Sequence, residues 1–388
     1  MKRFLILLLV SSFMQAQNNI NNVIKDTVSS SDSNLKPEWS LDFSGFIQAD
    51  VIIDNKKLSY IDGYLPTYIE SNKTDYNTYF TMRQSQLGLG VTNNLTGIRG
   101  FVQVDFIGPN NQNNIRLRKL FITYKNWMIG QDWSNLNDLD TWPNLLDFNG
   151  PNAALYSRRM QIRYTKVVNE KKMYSFSLED PNIPSITLPD VALNWKKKNI
   201  FPNIIGAYKY GKHSYIRGAA ILSPISYQKS VIENQASKTH TTLGYGLHTS
   251  SVLYINKLSN FKLVGAIGQG IATNIISFGD EGYDAVPNPN NINDLKKLPV
   301  ISGVAAYENW WDDKWSSVIF YSYSKVGEKK YMTENMLNSV QHVGFNTIYQ
   351  PTTYFKTGFD FTYGFVSRYG LTAKKESARL QLSTVFSF

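Results

Sequence analysis

The sequence has no cysteine among its 388 residues. Disulfide frameworks, thiolate metal sites and cysteine nucleophiles are therefore excluded. Histidine is scarce too. His213, His240, His248 and His342 are scattered, and they show neither metal-ligand spacing nor a Ser/His/Asp arrangement. The chain is expected to be no enzyme and to hold no metal or cofactor. Beyond the first 16 residues no apolar run approaches 18 residues, so no membrane-spanning helix is available. Charged residues are 18% and hydrophobic residues 42%, a balance that does not suggest disorder. Aromatics, by contrast, are abundant at 14%, and Tyr at 24 outnumbers Phe at 21. Tyr and Trp combine an apolar ring with a polar tip, which suits a membrane–water boundary.

The N-terminus is a signal by its charge order. Lys2 and Arg3 precede the apolar run Phe4–Val10, and Ala16 offers a small residue before Gln17. This reads as a secretory signal peptide over 1–16, too short to span a membrane stably. Residues 17–38 are rich in Asn, Ser and Asp without periodicity, and read as a disordered periplasmic lead-in. The remainder, 39–388, reads as one all-β domain. Net charge is +10, or +8 once Lys2 and Arg3 are removed. Such an excess points to nucleic acid, anionic lipid headgroups or an anionic solute, depending on where the charges face.

Period-two alternation decides the fold class. At the C-terminus Ala378, Leu380, Leu382, Phe386 and Phe388 share one face, opposite Arg379, Gln381, Ser383 and Ser387. Phe355, Phe359, Phe361, Tyr363 and Phe365 likewise oppose Lys356, Gly358, Asp360 and Thr362. A terminal Phe closing an alternating strand resembles the signal of outer-membrane barrels. The connections between strands alternate in length. Turns such as 93–96, 125–126 and 168–171 are short, whereas segments 54–77, 132–156, 181–202 and 272–298 are long. This rhythm predicts a transmembrane antiparallel β-barrel of about 16 strands in the bacterial outer membrane, with a lumen wide enough for solutes.

Parity then assigns the basic residues. Ile98, Val102, Val104 and Phe106 set the outward face of one strand, which turns Arg99, Gln103 and Asp105 inward. Met160, Ile162 and Tyr164 do the same for Arg159, Gln161 and Arg163. Ile115, Leu117 and Phe121 are read as outward, which places Arg116 and Arg118 inside, although Leu120 and Ile122 then share the inner parity. Arg217 and Arg379 also fall on wet faces. Arginine in lipid costs a few kcal/mol near the midplane, so inward parity is required. A concentration of guanidinium groups inside a lumen favours anions over cations. Because these residues alternate inward and form no exposed patch, nucleic-acid binding is not supported. Arg83 shares the parity of Leu87, Leu89 and Val91, so either a bulge intervenes or it sits at a rim or a subunit interface.

Segment 132–156 carries Asp132, Asp138, Asp140 and Asp147 together with Trp133, Trp142 and Phe148. A loop this apolar is expected to fold inward as a constriction, setting its acids against the basic wall. The alternative is an extracellular loop packed on its neighbours.

Met82-Arg83-Gln84-Ser85-Gln86-Leu87-Gly88-Leu89, Val104-Asp105-Phe106, Arg116-Leu117-Arg118, Ile129-Gly130-Gln131-Asp132-Trp133-Ser134, Asp147-Phe148-Asn149-Gly150-Pro151 and Arg159-Met160-Gln161-Ile162-Arg163-Tyr164 follow one another in order. Over residues 80–165 this series resembles the DcaP-like outer-membrane porin family. The resemblance implies a homotrimer of 16-stranded barrels that passes small organic anions such as dicarboxylates. It implies that Arg99, Arg116, Arg118, Arg159 and Arg163 are eyelet residues. Gln86 stands where another Arg is expected, and 18–38 is too short for the N-terminal coiled coil of some members. The expected partners are further copies of the chain, outer-membrane lipid or lipopolysaccharide, and small anionic solutes. A phosphate-selective porin is the nearest rival reading, and a surface receptor or adhesin using the long loops is a rival from another class.

Overall fold

A computed structural model describes residues 37–181, 186–188, 195–229 and 239–388. The expected signal peptide and nearly all of the expected lead-in lie outside the described residues.

Among the described residues, 16 antiparallel strands close into a barrel. They are β1 (Trp39–Asp54), β2 (Asn77–Thr81 with Gln86–Asn93), β3 (Arg99–Ile107), β4 (Asn113–Tyr124), β5 (Trp127–Trp133) and β6 (Arg158–Asn169). Next come β7 (Lys172–Glu179), β8 (Asn203–Gly211), β9 (Tyr215–Gln228), β10 (Thr239–Tyr254) and β11 (Ser259–Gln269). The circuit ends with β12 (Pro299–Trp310), β13 (Trp315–Val326), β14 (Leu337–Thr352), β15 (Phe355–Arg368) and β16 (Lys375–Ser387). Closure is made by β1. One side of β1 pairs with β2, from Trp39↔Asn93 to Phe46↔Gln86 and again from Asp50↔Thr81 to Asp54↔Asn77, and the other side of its second half pairs with β16, from Phe46↔Ser387 to Asp54↔Arg379. Gly45 and Phe388 exchange both backbone hydrogen bonds at the seam. A closed barrel leaves no edge, so every strand is satisfied in lipid without water.

The outer surface carries the apolar set. Leu41, Phe43, Ile122, Ile162, Leu247 and Phe386 are all exposed. In water such a continuous apolar surface would be a liability; around a barrel it is the lipid-facing band. No helix is long and apolar enough to cross a membrane, and the strands do the crossing.

The interior is not uniformly wet. Ile205, Ile221, Val300, Val326, Val340 and Val366 point inward from β8 to β15 and pack against Leu136, Leu155, Ile271, Ile275, Phe278 and Met332 of the long connections. One side of the lumen is thus filled by a hydrophobic core, each such side chain contributing about 1.5–3 kcal/mol on burial. Simple apolar-out, polar-in alternation did not anticipate this. The long connection 270–298 also contains a small hairpin, Ala285–Asn288 with Asn291–Lys297, where the sequence reading had only loop.

Two one-residue irregularities decide which residues look inward. In β2, residues 82–85 face only 47–49 of β1, because the register passes from Asp50↔Thr81 to Phe46↔Gln86. The extra residue reverses parity, and Arg83 turns inside. In β4, the partner of β3 jumps from Gln103↔Lys119 to Val104↔Leu117. Arg118 is the additional residue, so Arg118 and Lys119 both enter the lumen. The expected parity of this strand is corrected beyond that point. Leu120 and Ile122 face lipid, and Phe121 turns in toward Phe101 at a centroid distance of 5.4 Å.

Candidate functional site

The inner wall of β3–β6 gathers the basic residues. Asp105 of β3 is fully buried and accepts from Arg116 Nε and Nη2 at 3.0 and 2.7 Å, and from Arg118 Nη1 at 2.6 Å. Bidentate guanidinium–carboxylate contact fixes direction as well as charge. The Arg116 side chain nonetheless keeps 37% of its surface exposed, whereas Arg118 is enclosed. On β5, Asp132 lies 3.3 Å from Lys119 Nζ and 3.2 Å from Arg163 Nη2. Arg159 is half-buried opposite Asp132 in the register, and Arg158 opposite Trp133. Gln103, half-buried, stands opposite Lys119. Gln161 donates to the carbonyls of Trp133 at 2.9 Å and Asp132 at 3.2 Å, which sets the end of β5 where the chain leaves the wall.

Aromatic rings cover this cluster. The Arg118 and Arg116 guanidinium groups sit 5.3 and 5.8 Å from the centroid of Phe148. Arg158 sits 4.9 Å from the Trp133 ring. Cation–π contact holds the side chains in place while leaving their positive charge uncancelled. Four cations, Arg116, Arg118, Lys119 and Arg163, thus meet two carboxylates, Asp105 and Asp132, in ion-pairing contact.

Asp132 and Trp133 belong to the end of β5, and the inward connection itself runs over 134–157. It lies inside the barrel along the far wall. Its backbone N–H groups are taken by wall carboxylates: Asn135 by Glu179 at 2.7 Å, Asn144 by Glu308 at 2.9 Å, and Leu146 and Asp147 by Asp360 at 2.7 and 2.8 Å. Lys262 Nζ donates to the Trp142 carbonyl at 2.8 Å and to Glu308 at 2.9 Å. A buried loop must satisfy its backbone, and here the wall does so residue by residue.

The loop acids do not all face the basic wall, as had been expected. Asp138 accepts from the hydroxyls of Tyr215 and Ser250 at 3.0 and 2.6 Å, and Asp140 pairs with Lys209 at 2.6 Å. Both lie against β8–β10, because the loop follows that side of the barrel. Asp147 receives the N–H groups of Tyr64, Asn149 and Gly150 at 2.8, 2.9 and 3.1 Å, with Arg379 at 3.9 Å. Burial pushes its carboxyl above the ordinary range, against the pull of Arg379 and of those three N–H donors.

Three of the expected arginines have other duties. Arg217 is buried and donates to the carbonyls of Asn135 and Leu136, so it holds the start of the inward loop. Arg379 is buried against Asp54 at 2.7 and 2.8 Å and donates to the Ile61 carbonyl at 3.0 Å. Neither belongs to the open wall. Arg99 grips Asp42 at 2.6 and 2.7 Å near the short turn 94–98.

A second inward element was missed by sequence. Connection 55–76 packs inside the barrel, with Leu58, Asp62 and Tyr64 fully buried. Arg83 Nε and Nη2 hold Asp62 at 2.8 and 2.9 Å. Burial raises the Asp62 carboxyl, and Arg83 pulls it back. Asn152 joins the loops, donating to the Tyr64 carbonyl at 2.9 Å and accepting from the Ser277 hydroxyl at 2.8 Å. Lys119 and Arg158 were also missed. A signal existed, since each adjoins another basic residue. Two adjacent basic residues in a strand cannot both face water unless the alternation slips or the strand ends.

Among the described residues no group of three or more His, Asp or Glu could hold a metal ion.

A closed 16-stranded barrel with an apolar belt, an inward loop and charged inner walls defines a porin-type outer-membrane channel. The model of the DcaP outer membrane protein family matches residues 14–275, and the chain belongs to that family. The crystal structure of the outer membrane channel DcaP of Acinetobacter baumannii superposes with a TM-score of 0.78 at 16% identity, covering 91% of this chain and 99% of that one. In-vitro folded OmpT of Vibrio cholerae gives 0.56 at 9% identity, with coverage of 92% and 99%. The anion-selective porin from Comamonas acidovorans gives 0.55 at 10% identity, with coverage of 90% and 100%. No curated protein sequence matches the chain. The protein is an integral outer-membrane porin.

Proposed function

We propose that the channel passes small organic anions, dicarboxylates among them, by passive diffusion along the β3–β6 wall. One observation carries this reading: the four cations Arg116, Arg118, Lys119 and Arg163 pair with two carboxylates, Asp105 and Asp132, on a wall that also carries Arg158 and Arg159. The path is eccentric, because the hydrophobic core and the inward loop occupy the β8–β15 side. A surplus of fixed positive charge in a water-filled passage lowers the barrier for anions and raises it for cations. Arg116, the more exposed of the pair on Asp105, is the first guanidinium a passing carboxylate meets. The protein does no chemistry on its solute, and it works as a homotrimer, the form also described for OmpT of Vibrio cholerae.

The test is the reversal potential of the reconstituted protein across a salt gradient, followed by block with a panel of dicarboxylates and phosphate. Anion preference with dicarboxylate block is the expected result. Cation preference overturns the reading, and block by phosphate alone moves it to a phosphate channel.

A further inference from the structure

The two inward connections meet where residues 63–64 of connection 55–76 touch the turn Asp147–Gly150 of the inward loop. The turn is local in origin. Asp147 Oδ1 accepts the N–H groups of Asn149 and Gly150 at 2.9 and 3.1 Å, the side-chain-to-backbone turn that a short acidic residue favours. Gly150 adopts φ of +56°, and the Trp142 ring lies where a Cβ would stand.

The other carboxylate oxygen of Asp147 looks to a distant segment. Oδ2 accepts the Tyr64 N–H at 2.8 Å. Tyr64 is fully buried and is itself held by wall and loop. Its hydroxyl donates to the Ser377 carbonyl of β16 at 2.5 Å, its carbonyl accepts from Asn152 Nδ2 at 2.9 Å, and its ring lies 5.8 Å from the Arg379 guanidinium. Beside it, a Cβ on Gly63 would lie 2.5 Å from Asn149 Cγ. The bare backbone of Gly63 is what lets the two connections close up. The Asn149 carboxamide is buried, and its Nδ2 has no hydrogen-bond partner among the described residues.

Phe148 stands inside this turn, so its ring goes where the turn is set. The ring lies 5.3 Å from the Arg118 guanidinium and 5.8 Å from that of Arg116. Arg116 spends Nε and Nη2 on Asp105, which leaves Nη1 toward the path. An aromatic ring against a guanidinium restrains its swing without cancelling its charge.

We infer that Gly63 and Tyr64 are positioning residues of the channel: they seat the Asp147–Gly150 turn, the turn aims the Phe148 ring, and the ring sets the orientation of Arg116 and Arg118 on Asp105. Both are buried, so neither meets the solute. The consequence for the solute rests on the anion-path reading, whereas the seating of Phe148 does not.

The experiment places para-fluorophenylalanine at position 148 of the full barrel, reads its fluorine NMR resonance, and measures block of the reconstituted channel by succinate. Gly63→Ala is expected to move the resonance and to weaken succinate block roughly threefold, the size of one exposed cation–π contact. Gly63→Ala combined with Asn149→Ala removes the overlapping carboxamide and is expected to restore both. In a Phe148→Leu background, Gly63→Ala is expected to change block no further. Tyr64→Phe, which adds no bulk and loses only the Ser377 anchor, is expected to move the resonance as well. A resonance unmoved by Gly63→Ala and Tyr64→Phe overturns the inference, as does a shift that Asn149→Ala fails to reverse. Succinate block of the wild type that Phe148→Leu leaves unchanged also overturns it. A wild type that succinate does not block overturns the anion-path reading instead, and the resonance still decides the seating of Phe148.

Discussion

Arg83 and Asp62 form a buried bidentate ion pair, Nε–Oδ1 at 2.8 Å and Nη2–Oδ2 at 2.9 Å, between the bulge of β2 and the first long connection. The pair fastens a loop to the inside of the barrel. It exists only because one extra residue in β2 turns Arg83 through the wall. Removing one partner strands a buried charge, which costs about 3–5 kcal/mol. Asp62→Asn is therefore expected to lower the temperature at which the folded barrel unfolds on a denaturing gel. The double variant Arg83→Met, Asp62→Leu removes both charges and is expected to lose much less. Equal losses in the two would place the contribution elsewhere.

The strap of wall carboxylates along the inward loop makes a different prediction. Glu308 accepts the Asn144 N–H and pairs with Lys262, which in turn holds the Trp142 carbonyl. Glu308→Ala leaves Lys262 unpaired and releases the middle of the loop. Single-channel recordings are expected to show a larger and noisier conductance than the wild type. A quiet channel of unchanged size would mean that Asp360 and Glu179 alone secure the loop.

Selectivity is expected to follow Arg116 and Arg163. Arg116→Gln or Arg163→Gln each removes one positive charge from the open wall. In a water-filled lumen one charge at contact distance is worth about 1 kcal/mol, so each variant should reduce the anion-to-cation permeability ratio about fivefold. Arg217→Gln, which sits beneath the inward loop, is expected to disturb loop position more than ion preference. Reversal potentials separate the two effects.

Gly130 predicts a backbone effect. It adopts φ of +135°, and a Cβ there would lie 2.3 Å from the Leu120 carbonyl oxygen. Gly130→Ala combines a clash with strain of the order of 1–3 kcal/mol at a conformation that other residues avoid. It should reduce the yield of folded barrel, measured as the heat-modifiable fraction, without altering the selectivity of the protein that does fold.

Much of this architecture was legible before any coordinates. Lipid imposes period two on every strand, so Phe355 through Phe365 and Met160 through Tyr164 announce their faces residue by residue. Loop lengths declare which end is which. The inward tendency of the connection after β5 was readable from its Trp, Leu and Phe content.

Other features were not legible, for a physical reason. A bulge shifts parity by one residue, and at Arg83, between Met82 and Gln84, no neighbouring charge marks it, so Arg83 could not be placed by alternation alone. Pair identities were equally hidden. Arg379 meets Asp54 and Asp147, and Asp62 meets Arg83, through contacts between segments far apart in the chain. The sequence by itself determined the barrel and its membrane, because lipid and water sort side chains locally. Only the tertiary structure decided which charges stay open to the lumen and which are spent holding loops, because that depends on where a chain returning across the barrel comes to rest.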